Sequence, residues 1–268
     1  MQHPAAIELV EVTRTFGKKV AVHKLTLTVH RGELFAFLGP NGAGKTTTIK
    51  MICGLLRPSA GCIRVCGYDV QEQSDQARLC VSYVPDNPHL YDKLTGREFF
   101  ELVLDLYGVD YQQGRRRIAE LVELFELHGY LDDLTETYSH GMKQRVAFAA
   151  ALLHEAPVLV VDEPTLGLDP FGMRALKNLL RIQTRQGGTV FLSTHSLDLV
   201  EALADRIAIV DRGQLVAVGT LEELRQRASS HGSLEEIFLR LTAGKGEQAN
   251  RFASGKPVQA DGYDAGTA

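Results

Sequence analysis

The hydrophobic residues of this chain recur with two different periods, and the change of period divides it into three parts. Ile7-Glu8-Leu9-Val10 and Leu25-Thr26-Leu27-Thr28-Val29 alternate apolar and polar positions, the pattern of strands with one buried face. Leu34-Phe35-Ala36-Phe37-Leu38 contains no polar residue, which predicts a strand covered on both faces. It runs directly into glycines and then into a helical pattern. Val81-Ser82-Tyr83-Val84 reads as another short strand, stopped by Pro85.

From Leu94 to about Leu153 the period becomes helical. Phe99, Leu102, Val103 and Leu106 fall at i, i+3, i+4 and i+7, one face of a helix, and Ile118, Leu121, Val122 and Phe125 form a second such stripe. Arg115-Arg116-Arg117 opens the second helix and reads as a solvated face. The last third returns to strands. Val158–Val161 and Thr189–Ser193 are buried runs, and Arg206–Val210 and Gln214–Val218 flank Asp211-Arg212-Gly213, a hairpin turn. Strands interleaved with helices predict an α/β fold with a largely parallel sheet covered on both faces. The helical stretch, about 87–153, is an insertion into that layout. The ordered unit is expected to span 5–242, and 243–268, polar and aperiodic, to be a disordered tail.

Composition narrows the class. The chain has 268 residues, 44% hydrophobic and 23% charged, which fits a soluble globular protein. Its longest stretch without Asp, Glu, Lys or Arg is Gln186–Leu197, 12 residues, against the ~20 apolar residues of a membrane span. Met1-Gln2-His3-Pro4 lacks the pattern of a secretory signal. With 29 basic and 33 acidic residues the net charge is −4, so no nucleic-acid partner is expected. Cys53, Cys62, Cys66 and Cys80 suit neither a disulfide framework nor a zinc site, and are expected as reduced thiols in a cytosolic protein.

The chemistry is concentrated in two places. Gly39-Pro40-Asn41-Gly42-Ala43-Gly44-Lys45-Thr46 fits G-x-x-x-x-G-K-[ST] in full, after a buried strand and before a helix. Glycines let backbone N–H groups curl around a phosphate, and the helix N-terminus adds a positive dipole end. Lys45 supplies charge to the β- and γ-phosphates, and the Thr46 hydroxyl can bind Mg²⁺. Val158-Leu159-Val160-Val161 then ends in two carboxylates. Asp162 is placed to hold the metal, and Glu163, one residue on, to polarise the attacking water.

With these motifs the chain resembles an ATP-binding cassette (ABC) ATPase over roughly residues 5–242. The resemblance implies a P-loop NTPase (RecA-like) core, an N-terminal antiparallel β region and an inserted α-helical subdomain. Tyr138-Ser139-His140-Gly141-Met142-Lys143-Gln144-Arg145 resembles the family's signature segment: Ser139 and Gly141 match, while His140 and Met142 depart from it. A Ser139-capped helix can receive a phosphate. The resemblance also implies that Thr47 belongs to the phosphate loop and that Leu166-Gly167-Leu168-Asp169 is the D-loop. His195 would be the switch histidine and Phe16 the ring that stacks on adenine, with a core aromatic as its alternative. At the Q-loop this sequence has Asp86 where the family has glutamine. A carboxylate there only accepts hydrogen bonds, so Asp86 either binds Mg²⁺ through water or serves coupling.

Leu90–Phe99 and Ser233–Thr242 resemble the type-2 exporter branch. That implies an ATP-binding and ATP-hydrolysing subunit, using ATP and Mg²⁺, which powers export through a separately encoded membrane permease on the cytoplasmic face. It also implies an ATP-dependent homodimer, in which the signature of one copy closes on ATP held by the other. The permease surface is expected near Asp86–Phe100, with Tyr91, Leu94 and Phe100 in contact. Two alternatives stay open: a soluble ABC ATPase acting in DNA repair or translation, and a degenerate nucleotide-binding regulatory module. The transported substrate is not written in this chain.

Overall fold

A computed structural model describes residues 5–164, 170–230 and 232–242. The expectations for Asp169, for the D-loop and for the tail at 243–268 lie outside the described residues. The chain opens with β1 (Ala5–Phe16), β2 (Lys19–His30) and β3 (Leu34–Leu38), followed by α1 (Lys45–Ile52), β4 (Ala60–Val65), β5 (Tyr68–Asp69), α2 (Ser74–Leu79) and β6 (Val81–Val84). Three helices come next: α3 (Gly96–Tyr107), α4 (Tyr111–Leu124) and α5 (His140–Ala151). Then come β7 (Val158–Asp162), α6 (Pro170–Arg185), β8 (Thr189–Thr194), α7 (Leu197–Leu203), β9 (Arg206–Asp211), β10 (Gln214–Gly219) and α8 (Leu221–Arg227), and residues 234–242 are helical.

These strands form two sheets. One is antiparallel, ordered β2-β1-β4-β5; the other is six-stranded, ordered β10-β9-β3-β8-β7-β6. Within the larger sheet the pairs β9–β3, β3–β8, β8–β7 and β7–β6 are parallel, and only the β9–β10 hairpin is antiparallel. The hairpin turns at Arg212 and Gly213, both with positive φ, the geometry that suits the twist of two adjoining strands.

Burial explains the two strand patterns. All of β3, β7 and β8 is buried, so their apolar runs contact helices on both faces. Phe35 and Phe37 face the side that carries α1 and the antiparallel sheet, where both rings meet Phe191 at centroid distances of 5.8 and 5.3 Å. Leu34, Leu159, Val161, Val190 and Leu192 face the other side and pack on α5 and α6. β2, by contrast, alternates buried and exposed positions as the sequence predicts.

The helical middle differs from its expected packing. In α3 the buried stripe is Gly96, Phe100 and Leu104, not Phe99, Leu102, Val103 and Leu106. Leu106 is 73% exposed, and Phe99 and Val103 are only half-buried. The helix is rotated because Phe100 and Leu104 insert against Leu131, Tyr138, Ile118 and Leu121. Phe100, 0% exposed, is therefore a core residue and cannot belong to a partner surface. The stripe of α4 holds better, with Ile118, Leu121 and Val122 buried. Both helices start at side-chain caps: Thr95 and Glu98 form a capping box on α3, and Asp110 accepts from Gln112 and Gln113 on α4.

Candidate functional site

Most of the motif residues converge at the C-terminal ends of the parallel strands, where open α/β sheets bind ligands. The phosphate loop leaves β3 and turns at Pro40, whose carbonyl accepts from Ala43 N (3.2 Å). Gly39 is needed for space, since a Cβ there would lie 2.5 Å from the Val210 carbonyl. Gly44, at φ +99°, caps α1 in the left-handed region and also lies tight against the Ala21 carbonyl. Asn41 and Gly42 are exposed, Ala43 is buried, and Thr46 and Thr47 are half-buried at the start of α1.

Lys45 is 6% exposed. Its Nζ donates to the carbonyls of Gly39 (2.8 Å) and Pro40 (3.2 Å) and lies 3.1 Å from Glu163 Oε1. The other Glu163 oxygen is 2.8 Å from His195 Nδ1 and accepts from His195 N (3.2 Å). Glu163 sits at φ +45°, in the left-handed region, a local strain of the kind that gathers at functional sites. Lys45, Glu163 and His195, far apart in sequence, thus form one charged cluster.

Asp162, 0% exposed, closes β7. Burial raises its pKa, the nearby Asp86 and Glu163 charges push the same way, and the Ser193 and Thr46 hydroxyls oppose the shift. Neither hydroxyl completes a hydrogen bond to it, so both carboxylate oxygens are buried without a donor. A buried carboxylate in that condition suits a cation. Asp86 is exposed, near enough to act on Asp162 by charge, and its Oδ1 accepts from Asn87 N (2.8 Å).

The base-stacking and signature residues lie apart from this cluster. Phe16, at the end of β1, is 46% exposed, so it is not a core aromatic; the Arg14 guanidinium lies 4.6 Å from its centroid. Ser139 caps α5, accepting from Met142 N (3.3 Å), and a Cβ on Gly141 would meet nothing within 4 Å. That helix end is open to approach from outside the chain. Among the described residues it makes no hydrogen bond or ion pair with the Lys45 cluster.

Sequence reading placed Ser193 in a strand and Gly213 in a hairpin turn but gave neither a part in the site. Ser193 is a fully buried polar residue in an otherwise apolar strand, which is a readable signal. Gly213 is visible only in three dimensions: its N–H donates to Ala43 O (3.0 Å), its carbonyl accepts from His23 N (2.8 Å), and it thereby ties the hairpin to the phosphate loop and to β2.

A glycine loop between a buried strand and a helix, with paired carboxylates at the end of another strand of the same parallel sheet, defines a P-loop nucleotide-hydrolysing fold. Residues 22–166 match the family model described as ABC transporter. The daunorubicin/doxorubicin resistance ATP-binding protein DrrA of Streptomyces peucetius is 39% identical over 230 residues, covering 86% of this chain and 70% of that protein. A solved ATP-binding subunit of an ABC transporter superposes with a TM-score of 0.85 at 35% identity, covering 88% of this chain and 99% of that one. The ATP-binding cassette MJ0796, solved as a dimer in a post-hydrolysis state with ADP and Pi, superposes at 0.73 with 26% identity, covering 80% and 98%. The chain belongs to the ABC transporter ATP-binding family. It is an ATP-binding, ATP-hydrolysing transporter subunit with a RecA-like core, an antiparallel β region and a helical insert.

Proposed function

We propose that residues 5–242 form the ATPase unit of an exporter and that the cluster at the sheet end performs its chemistry. The observation that carries this is the Lys45–Glu163–His195 constellation beside a buried, donor-free Asp162. Gly39 to Thr47 cradle the triphosphate through backbone N–H groups. Lys45 exchanges its carbonyl and carboxylate partners for β- and γ-phosphate oxygens. Glu163 accepts a proton from the attacking water, and His195 holds that carboxylate in place and meets the γ-phosphate.

Thr46 and Asp162 supply oxygen ligands suited to Mg²⁺, with Asp86 within range through water. When bound, that ion neutralises charge on the phosphates. Phe16 offers its exposed ring to the adenine.

The second half of the site comes from a second copy. The chain has one phosphate loop and one signature-like segment, so Ser139 and Gly141 of one copy cap the triphosphate held by the other, with Asp169 as a further nucleotide-binding residue. The open helix end at Ser139 supports this, as does the dimeric form of the MJ0796 relative.

Among the described residues no helix is long and apolar enough to cross a membrane. We therefore place the moving of substrate in a separate permease, with this subunit on its cytoplasmic face. A groove of about 350 Å³ between β6 and the helical insert is the docking surface, lined by Pro85, Leu90, Phe99, Val103, Tyr107 and His154. Drug export is the reading that the DrrA relative supports.

The test is ATP turnover of the purified chain. Glu163→Gln is expected to lower it by at least about 100-fold while nucleotide binding persists. A rate within twofold of wild type overturns the assignment.

A further inference from the structure

A fully buried hydroxyl with nothing to bond to is unfavourable, and the Ser193 hydroxyl is one. Its neighbours in β8, Val190, Phe191 and Leu192, are all 0% exposed, so an alanine would suit the same environment at no polar cost. The next residue offers a contrast. Thr194 is as deeply buried, yet its Oγ1 accepts from Ser196 N (3.0 Å). The Ser193 main chain is also in use, since its carbonyl accepts from Glu163 N (2.9 Å). Only the Ser193 hydroxyl is left over.

Its position says what it faces. Ser193 and Asp162 are register partners across the parallel β8–β7 pair, at the ends of the two strands that carry the site. Three buried oxygens therefore lack partners on adjoining strands: Ser193 Oγ and both carboxylate oxygens of Asp162. A hydroxyl can donate and a carboxylate can only accept.

We propose that Ser193 is a positioning residue: its hydroxyl donates to one Asp162 oxygen and so leaves the other aimed at the Mg²⁺ ion. Groups of this kind orient metal-binding carboxylates and change metal affinity without touching the metal. Ser193 is fully buried and is the register partner of Asp162, so it acts through that carboxylate. The inference rests on the reading of Asp162 as a metal-holding group.

The test measures Mg²⁺ rather than turnover. A fluorescent ADP analogue is bound to the full-length chain in EDTA and then across a MgCl₂ titration, for wild type, Ser193→Ala, Ser193→Thr and Asp162→Asn. Ser193→Ala is expected to raise the half-saturating Mg²⁺ concentration about tenfold and to leave binding in EDTA unchanged. Ser193→Thr, which restores the hydroxyl, is expected to stay near wild type. An unmoved Mg²⁺ midpoint in Ser193→Ala, with a shifted one in Asp162→Asn, overturns the role of Ser193 and leaves the metal reading intact. An unmoved midpoint in both overturns the metal reading and this inference with it. Equal loss of binding with and without Mg²⁺ in both Ser193 variants would make the residue a packing element and also overturn the proposal.

Discussion

The sheet end and the helical insert solve different problems with the same kind of chain. At the sheet end the candidate functional groups sit at or just beyond the ends of strands that are buried on both faces: β3, β7 and β8 have no exposed residue. In the insert, helices present one buried stripe and leave a half-open groove beside it. Phosphate chemistry tolerates little displacement, and on the proposed reading its residues are anchored to strands that cannot shift without opening the core. On the proposed reading the groove engages a partner, and such a surface benefits from side chains that are only half-held. The adjacent Phe99 and Phe100 embody the split, one lining the groove and the other sealed inside.

The largest effect that would sharpen this contrast is at the sheet end. Lys45→Ala is expected to reduce ATP turnover by about 1,000-fold, read as phosphate release. A substitution in the groove, such as Phe99→Ala, should leave basal turnover of the isolated chain within about twofold while abolishing stimulation by the permease. Equal losses from both would break the division.

Stability should divide the other way. Phe100→Ala is expected to cost about 3–5 kcal/mol in denaturant unfolding, as for a large buried aromatic. Phe99→Ala should cost about 1 kcal/mol or less. If the two values are similar, the packing of α3 is not as described.

The sheet end was readable because its residues fall in short unbroken motifs, although the fold alone brings Lys45, Glu163 and His195 together. The phosphate loop is one unbroken segment, and Asp162 and Glu163 follow a run of four apolar residues. The insert was less readable for a physical reason. Phe99/Leu102/Val103/Leu106 and Gly96/Phe100/Leu104 are two overlapping helical stripes, and periodicity alone does not choose between them. Contact with Leu131 and Tyr138 does. β4 also escaped the sequence reading: it is short, and Gly61 breaks its pattern at a register shift against β1. Ser193 was missed because its importance depends on its strand partner, not on its neighbours in the chain.

Two smaller effects probe the edges of each region. Ser139→Ala removes the cap of α5 and should cost about 1 kcal/mol in thermal or denaturant unfolding; Ser139→Asp, which restores a capping acceptor, should recover most of it. His154 joins insert to core, stacked on Tyr107 (3.7 Å between centroids, 11° between planes) with Nε2 3.4 Å from Ser82 Oγ. Burial holds its pKa below the usual 6.5, so the unfolded chain takes up the proton first. The contribution is present above pH 6.5 and is lost as pH falls through the lower folded value. Wild type should thus lose up to about 0.5 kcal/mol relative to His154→Gln between pH 7 and 5.5, a small figure because solvent partly screens the ring. A parallel pH dependence in the two proteins would discount the stack.

The Gly213 tie has a consequence for what the molecule can measure. His23 in β2, Gly213 in the hairpin and Ala43 in the phosphate loop are joined by consecutive backbone hydrogen bonds of 2.8 and 3.0 Å. Phe16 pairs with Lys19 at the far end of the β1–β2 ribbon. On the proposed reading, the ring that meets the base and the loop that meets the phosphates are therefore the two jaws of a caliper whose span is set by main chain alone. Such an instrument gauges the length of a nucleotide more strictly than the identity of its base, because a bare ring face stacks on any purine.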